Sequence, residues 1–243
     1  MILKEFELNL PYASDKEKVI EMIKANGMTL LGKNKDESIE WKWIRREFAL
    51  QTRCVTAMFE RLFNKYKIAG GRKILIECVD VIRNDNIINY SGVYVVQLKF
   101  NFLNFILLSD YEKKVNSFQI LKEGVEKVAT YKGWDSAPFS SVFNEMTENN
   151  YLNEWTWSKP VKSPNKESVA QVICHHEVNK MNIFMEVMGS KGQSLGRSLL
   201  LTDQPHEFAY AKHLGKVTWE DNEIVSLINK QEDEKWSLNI RKL

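Results

Sequence analysis

The longest apolar stretch of the sequence, VYVVQLKFNFLNFILL at residues 93–108, restricts the folds open to this chain. Polar residues interrupt the stretch at Gln97, Lys99, Asn101 and Asn104. It is therefore too short and too polar to span a bilayer, for which about 20 mostly apolar residues are needed. We expect this stretch to lie in the core of a soluble protein that has no contact with a membrane.

The first ten residues of that stretch alternate in character, with the apolar positions on one side at Tyr94, Val96, Leu98, Phe100 and Phe102. A period of two residues predicts a β-strand with one buried face. The run KILIECVDVI at residues 73–82 predicts another strand just before it.

The rest of the N-terminal part mixes helix and strand signals. Residues 6–10 alternate as a strand does, and Ser14 with Glu17 forms a capping-box pattern at the start of a short helix that ends near residue 26. Two strands are predicted at 28–31 and 38–44, followed by a helix from Val55 whose apolar spacing stops at Gly70 and Gly71. The predicted order is β-α-β-β-α-β-β-α.

The last helix of that order is predicted to begin at Ser109-Asp110 and to end near Gly133. Gly124 lies inside it, at a cost of about 1 kcal/mol relative to alanine. A shorter helix is predicted after Pro138.

The C-terminal third consists of short alternating runs separated by turn residues. They are SVAQVICHHEV, NIFMEVMG, RSLLLT, GKVTWE, IVSLIN and KWSLNIRKL. Such a series predicts an antiparallel β-meander, so the fold class is α+β. The Pro- and Lys-containing loop 158–166 suggests a boundary between a part at 1–157 and a part at 167–243, although both could belong to one continuous domain.

The first predicted hairpin of the meander can be given a register. A two-residue turn at Asn179-Lys180 would pair Val178 with Met181 and His176 with Ile183. Its other pairs would be Cys174 with Met185 and Val172 with Val187. The face formed by these residues is apolar except for His176, whereas the opposite face is largely polar, as in a sheet with one side toward water.

Composition favours an intracellular protein and gives little sign of nucleic-acid binding. The three cysteines are widely separated, and the first residues lack the basic start and apolar core of a signal peptide, so we expect a cytoplasmic location. The 34 basic and 32 acidic side chains give a net charge of +2, so a nucleic-acid interface would need a local basic patch.

The densest group of reactive side chains is Cys174-His175-His176-Glu177. In a strand, His175 and Glu177 share one face, whereas Cys174 and His176 share the other, so the four cannot converge on one metal ion. A surface His/Glu pair is the simpler interpretation. An acid–base or metal role would need a third group, such as His206 or His213.

A second group combines tryptophans with cations at residues 41–46. Stacking platforms beside cations are typical of single-stranded nucleic-acid binding, and the candidate basic residues are Lys42, Arg45, Arg46, Arg72 and Lys73. Strand alternation would instead place Trp41 and Trp43 on a buried face, which is the simpler interpretation.

Three functions remain open from the sequence. The leading one is surface recognition of another protein, as in a cytoplasmic inhibitor or an immunity protein, with Trp134, Trp155 and Trp157 as anchors; exposure of Trp155 and Trp157 would strengthen this hypothesis. The second is a small-molecule-binding protein or hydrolase with a pocket between the two halves, using His175 and Glu177. The third is a nucleic-acid binder. No catalytic motif and no cofactor is indicated.

Overall fold

The computed structural model describes residues 1–13, 16–27 and 40–243, which form two compact units, Met1–Tyr151 and Leu152–Leu243. The predicted cap at Ser14 and the predicted strand at residues 28–31 lie outside the described residues. Helices and strands both occur, and the predicted α+β class is confirmed. Among the described helices, none is long and apolar enough to cross a membrane.

The first unit combines a four-stranded sheet with five helices in the described ranges. In chain order the elements are β1 Glu5–Asn9, α1 Lys16–Ala25, α2 Trp41–Phe63, β2 Lys73–Val79, β3 Ile88–Tyr90, β4 Val93–Lys99, α3 Phe102–Phe105, α4 Asp110–Lys132 and α5 Ala137–Glu148.

The sheet of the first unit has the order β1-β2-β4-β3, in which β1, β2 and β4 are parallel and β3 is antiparallel to β4. Leu8, Ile76 and Val96 are aligned across the three parallel strands, and all three are buried. Helices α2 and α4 cover this face, and α5 packs against both helices. The carboxyl ends of three strands therefore meet at one edge of the sheet.

Helix α4 matches its prediction closely. Ser109 and Glu112 form a reciprocal capping box at its start, and Gly133 ends it in the left-handed conformation at φ 63°. Gly124 has a packing reason, because an added Cβ atom would lie 2.4 Å from Cδ1 of Ile76. The glycine lets the helix approach β2 closely.

Helix α2 corrects the prediction of a strand through Trp41 and Trp43. The helix begins at Trp41, because the buried side chains Ile44, Phe48, Val55 and Phe59 recur at helical spacing from residue 44 onward. The strand-like alternation of apolar residues at the start of this segment covers few residues, whereas the helical spacing of buried residues continues to the end of α2.

The second unit consists of two antiparallel sheets. Its elements are β5 Glu154–Thr156, β6 Val161–Lys162, β7 Ser168–His176, β8 Met181–Gly189, β9 Ser194–Asp203, α6 Glu207–Tyr210, β10 Lys216–Trp219, β11 Ile224–Ile228, β12 Lys235–Asn239 and a 3₁₀ turn at Ile240–Lys242. One sheet has the order β5-β7-β8-β9 with β6 also paired to β7, and the other has the order β10-β11-β12. The predicted C-terminal series of antiparallel strands is confirmed.

The loop predicted to separate the two parts lies within the second unit. Residues 158–166 contain β6, which pairs with β7, and β5 pairs with the same strand further along. Whether each unit is an independently folding domain stays a prediction.

The β7–β8 hairpin has the predicted faces but not the predicted register. The turn lies at Val178-Asn179, where Glu177 N–H donates to the Lys180 carbonyl at 2.8 Å, and His176 is opposite Met181. The offset from the predicted pairing is two residues, and side chains alternate with the same period, so each residue keeps its face. The face with Cys174 and His176 forms the core of the unit.

Candidate functional site

A cavity of about 460 Å³ opens at the carboxyl edge of the parallel strands in the first unit. Its lining residues are Leu10, Tyr12, Ala13, Val19, Asp80, Lys99, Phe100, Asn101, Phe102 and Leu103. Leu10 directly follows β1, Asp80 directly follows β2, and Lys99 is the last residue of β4. Ligands of open α/β sheets bind outside the carboxyl ends of the strands, and this cavity shares that feature, although its parallel strands follow one another without the reversal of strand order usual at such sites.

The cavity has apolar walls and a few polar groups. Leu10, Val19 and Phe100 are buried side chains of the fold that also face the cavity. The Asp80 carboxylate accepts a hydrogen bond from Val81 N–H at 2.9 Å, and the Asn101 side chain accepts one from Asn104 N–H at 3.0 Å. An apolar cavity with a few fixed polar groups is the usual form of a small-molecule site.

Gln97 on β4 fixes the loop that follows β2. Its side-chain oxygen accepts backbone N–H bonds from Arg83 at 2.9 Å and from Asn84 at 3.1 Å. Its side-chain nitrogen donates to Glu77 at 2.9 Å. Tyr12 completes the arrangement, because its hydroxyl donates to the Val81 carbonyl at 3.0 Å. The loop and the cavity wall at Tyr12 are thus tied to the sheet.

Cationic side chains surround the segment that lines the cavity. The Arg83 guanidinium lies 3.9 Å from the centre of the Tyr12 ring, and Arg45 donates to the side chain of Asn9 at 3.1 Å. Asn9 and Tyr12 flank the segment from Leu10 to Pro11, where β1 ends. Both cations are therefore held by residues of the lining segment or next to it.

A third cation reaches the same segment through a tryptophan. The Trp41 indole N–H donates to the Pro11 carbonyl at 3.4 Å, and the Lys16 ammonium lies 5.5 Å from the centre of the Trp41 ring. Trp41 therefore positions a positive charge near the cavity, rather than serving as a core residue of a strand.

The predicted His175 and Glu177 pair does form. Nε2 of His175 contacts Oε1 of Glu177, and both side chains are half-buried. On the other face, burial raises the pKa of the neighbouring Cys174 thiol to about 12, so this thiol stays protonated at neutral pH. His176 is buried, and its Nε2 lies 3.0 Å from the Pro205 carbonyl.

The other two candidate histidines have separate partners. His213 Nε2 lies 2.7 Å from Oδ2 of Asp203, and its Nδ1 lies 3.6 Å from Oε2 of Glu234. His206 caps α6 by accepting a hydrogen bond from Phe208 N–H. Within residues 1–13, 16–27 and 40–243, no group of three or more His, Cys, Asp and Glu side chains could hold a metal ion.

The three candidate tryptophans are half-buried rather than exposed. Trp155 and Trp157 pack against the core of the second unit, and Trp155 is opposite the buried Cys174. Trp134 packs on the rings of Tyr94 and Phe139 at 5.6 and 6.3 Å between ring centres. Strand alternation turns Trp155 toward the buried face, so the protein-binding hypothesis does not gain the support that an exposed Trp155/Trp157 pair would have given it. Their role in partner binding stays a prediction.

The five candidate basic residues lie at opposite ends of the sheet. Arg45 is next to the last residue of β1, and Lys42 and Arg46 are in the same first turns of α2. Arg72 and Lys73 lie at the start of β2, where Lys73 pairs with Glu7. A strand of this length separates the two groups by about 13 Å. The two groups are therefore separated along the sheet, and their role in nucleic-acid binding stays a prediction.

The sequence pattern did not indicate Asp80 and Lys99 as site residues, because it continues beyond the ends of both strands. It assigned residues 80–82 and 100–102 to strands, whereas β2 ends at Val79 and β4 at Lys99. Asn101 carried a usable signal, since an asparagine whose side chain accepts an N–H bond three residues on is typical of a helix start.

Comparison with known proteins gives no match, whether to a protein-family model, to a curated protein or to a solved structure. The chemistry of the site is therefore deduced from its residues. The cavity has the volume and lining to hold a small organic molecule, with Asp80, Lys99 and Asn101 placed to fix its orientation.

Proposed function

We propose that this protein binds a small organic molecule in the cavity at the carboxyl edge of the β1-β2-β4 sheet. The observation that carries the proposal is the cavity itself, about 460 Å³ at the meeting point of three parallel strand ends. Ligand pockets usually measure roughly 300–1,000 Å³ and have mainly apolar linings. We also propose a cytoplasmic location for the protein, on the basis of the sequence alone.

The Gln97 network supports the same proposal. It fixes the loop after β2 to the sheet by two backbone hydrogen bonds, and the lining residue Tyr12 is hydrogen-bonded to the Val81 carbonyl of the same loop. A preformed pocket loses less conformational entropy on binding than one that must be ordered by its ligand.

The proposal can be tested with the neutral fluorescent dye Nile red on the full chain. We expect saturable binding to the wild type and its loss in Ala13→Trp, because the indole would fill the cavity. Ala49→Trp is the matched control, since Ala49 is an exposed residue of α2. Equal dye binding by both variants and the wild type would show that the dye does not enter the cavity and would contradict the proposal.

Recognition of another protein, as by an inhibitor or immunity protein, is the second candidate function. The observation that favours it is Phe208, whose side chain is 92% exposed and stacks on His206 at 5.2 Å between ring centres. Exposed aromatic residues often anchor protein interfaces. A protein partner captured stoichiometrically by the wild type and by Tyr131→Ala, but not by Phe208→Ala, would support this candidate, and equal capture by all three would oppose it.

A further inference from the structure

Beyond the presence of a pocket, the charges around it indicate the class of its ligand. We infer that the cavity binds a small amphipathic anion, with its apolar body against the walls and its anionic group near Lys99 and Arg83. This inference rests on the proposed function. Carboxylates and phosphate monoesters share the required chemistry, so both belong to the proposed class.

The apolar lining of the cavity indicates that the body of the ligand is apolar. Leu10, Val19, Phe100, Phe102 and Leu103 line most of the cavity, and the first four of them are buried residues of the fold. A ligand without an apolar body would lose its hydration here and gain no compensating partner. The body of the ligand must therefore be mainly hydrocarbon or aromatic.

The cationic side chains near the cavity indicate that the ligand carries an anionic group. Lys99 lines the cavity directly, Arg83 stacks on the lining residue Tyr12, and Arg45 is hydrogen-bonded to Asn9 at the end of β1. In the described part of the chain, no carboxylate lies within 4.0 Å of these three cationic groups. Their charge is thus available to a ligand.

Acidic groups near the same edge already have contacts within the protein. Glu40 pairs with Lys42 at 3.0 Å, and Asp85 pairs with Lys127 at 2.7 Å. Asp80 lines the cavity, but one of its carboxylate oxygens accepts the Val81 N–H bond of its own turn. The charges around the cavity therefore favour the binding of a negatively charged ligand, although the whole chain is nearly neutral.

Lys99 has a suitable position for contact with the anionic group. It lines the cavity and is exposed, and alternation along β4 places it on the sheet face opposite to the buried Leu98. Hydrogen bonds between a charged donor and a charged acceptor are about twice as strong as neutral ones. The ammonium of Lys99 can therefore contribute much of the preference for an anion.

The inference is tested by comparing an anionic dye, anilinonaphthalene sulfonate, with neutral Nile red on the full chain. We expect Lys99→Met and Arg83→Met each to weaken binding of the sulfonate dye about tenfold, as for the loss of a charge-assisted contact. Nile red carries no charge to lose a partner, so the affinity for the sulfonate dye relative to the affinity for Nile red should fall in both variants. Arg72→Met is the matched control, because it removes an exposed cation at the other end of the sheet.

Displacement of Nile red by three eight-carbon compounds extends the test. We expect octanoate and octyl phosphate to displace the dye and octylammonium to have no effect, and the ratio of the two anions identifies the preferred head group. Lys99→Arg should retain the binding that Lys99→Met loses, and circular dichroism of each variant confirms that it is folded.

The outcomes separate the two proposals. If Nile red binds to the wild type but Lys99→Met and Arg83→Met leave the sulfonate dye unaffected, the anion inference is overturned and the pocket proposal stands. Equal displacement by octylammonium and octanoate also overturns it. If neither dye binds to the wild type, the proposed function itself fails.

Discussion

Gln97 accepts the backbone N–H of Arg83 at 2.9 Å, which joins the middle of the sheet to the loop that bears the cationic side of the cavity. The same oxygen accepts Asn84 N–H at 3.1 Å. A single amide side chain therefore holds two consecutive backbone groups of the loop, from which the Arg83 guanidinium extends over the Tyr12 ring.

We expect Gln97→Leu to lower the free energy of unfolding by about 1–3 kcal/mol, because two backbone N–H groups lose their acceptor. Chemical denaturation measures the difference. Gln119→Leu is the control, since Gln119 is an exposed residue of α4 and its replacement should change stability by less than about 0.5 kcal/mol. Equal stability of the two variants would show that the Gln97 contacts do not hold the loop.

Gly124→Ala is expected to destabilise the protein although alanine is the better helix former. The added methyl group would lie 2.4 Å from Cδ1 and 2.5 Å from Cγ1 of Ile76, and overpacking of this kind costs about 1–3 kcal/mol. A double-mutant cycle by thermal or chemical unfolding checks it. In an Ile76→Ala background the same change should be neutral or stabilising, and a cost that persists there would contradict the contact.

Lys113 on α4 should make stability depend on pH. Its side chain is buried, and desolvation lowers the pKa of its ammonium despite the attraction of Asp110 and Glu47. Because the unfolded chain then binds the proton more tightly, this residue reduces stability at neutral pH, and the penalty disappears as pH rises through the lowered pKa toward 10.5.

Lys113→Met should therefore have a smaller dependence of unfolding free energy on pH between neutrality and alkaline conditions than the wild type. Chemical denaturation at a series of pH values measures the slope. Lys122→Met serves as the control, because Lys122 lies on the same helix, its side chain is partly exposed, and it pairs with Glu126 across one turn. If the slope of unfolding free energy against pH were the same in Lys113→Met as in the wild type, the lowered pKa of Lys113 would be contradicted.

The fragment 152–243 is expected to fold alone, whereas 167–243 should be less stable or unfolded. The shorter fragment lacks β5 and β6, which together cover one edge of β7. Dispersion of amide signals in nuclear magnetic resonance spectra distinguishes the fragments. If the shorter fragment folded as well as the longer one, the segment 152–166 would not be part of the folding unit.

The sequence predicted long elements with several periods of pattern better than short ones. The capping box at Ser109, the apolar stripe and the final Gly133 define α4 at both ends. At Trp41 and Trp43, in contrast, two large residues with one between them resemble a strand, and the helical spacing becomes visible only from Ile44 onward. The β7–β8 faces were predictable for a related reason, since alternation fixes the face whereas the turn alone fixes the register.

The candidate site was much less predictable, because it depends on where strands stop. Phe100 and Phe102 continue the alternation of β4 in sequence, yet the chain leaves the sheet at Lys99 and forms α3. The cavity exists because three parallel strands end together, and parallel pairing between β1 and β2, which are more than 60 residues apart, carries no local signal. The predicted histidine sites and Trp155 and Trp157 lie instead in the more regular second unit, and Trp134 lies in the first.

The most direct test of the central claim is a titration of isotope-labelled full-length protein with anilinonaphthalene sulfonate, followed by the chemical shifts of backbone amides. The account predicts that the largest saturable changes cluster at the cavity, around Tyr12, Asp80, Lys99 and Asn101, and that Ala13→Trp abolishes them. Changes confined to other surfaces, or equal changes in Ala13→Trp, would contradict it.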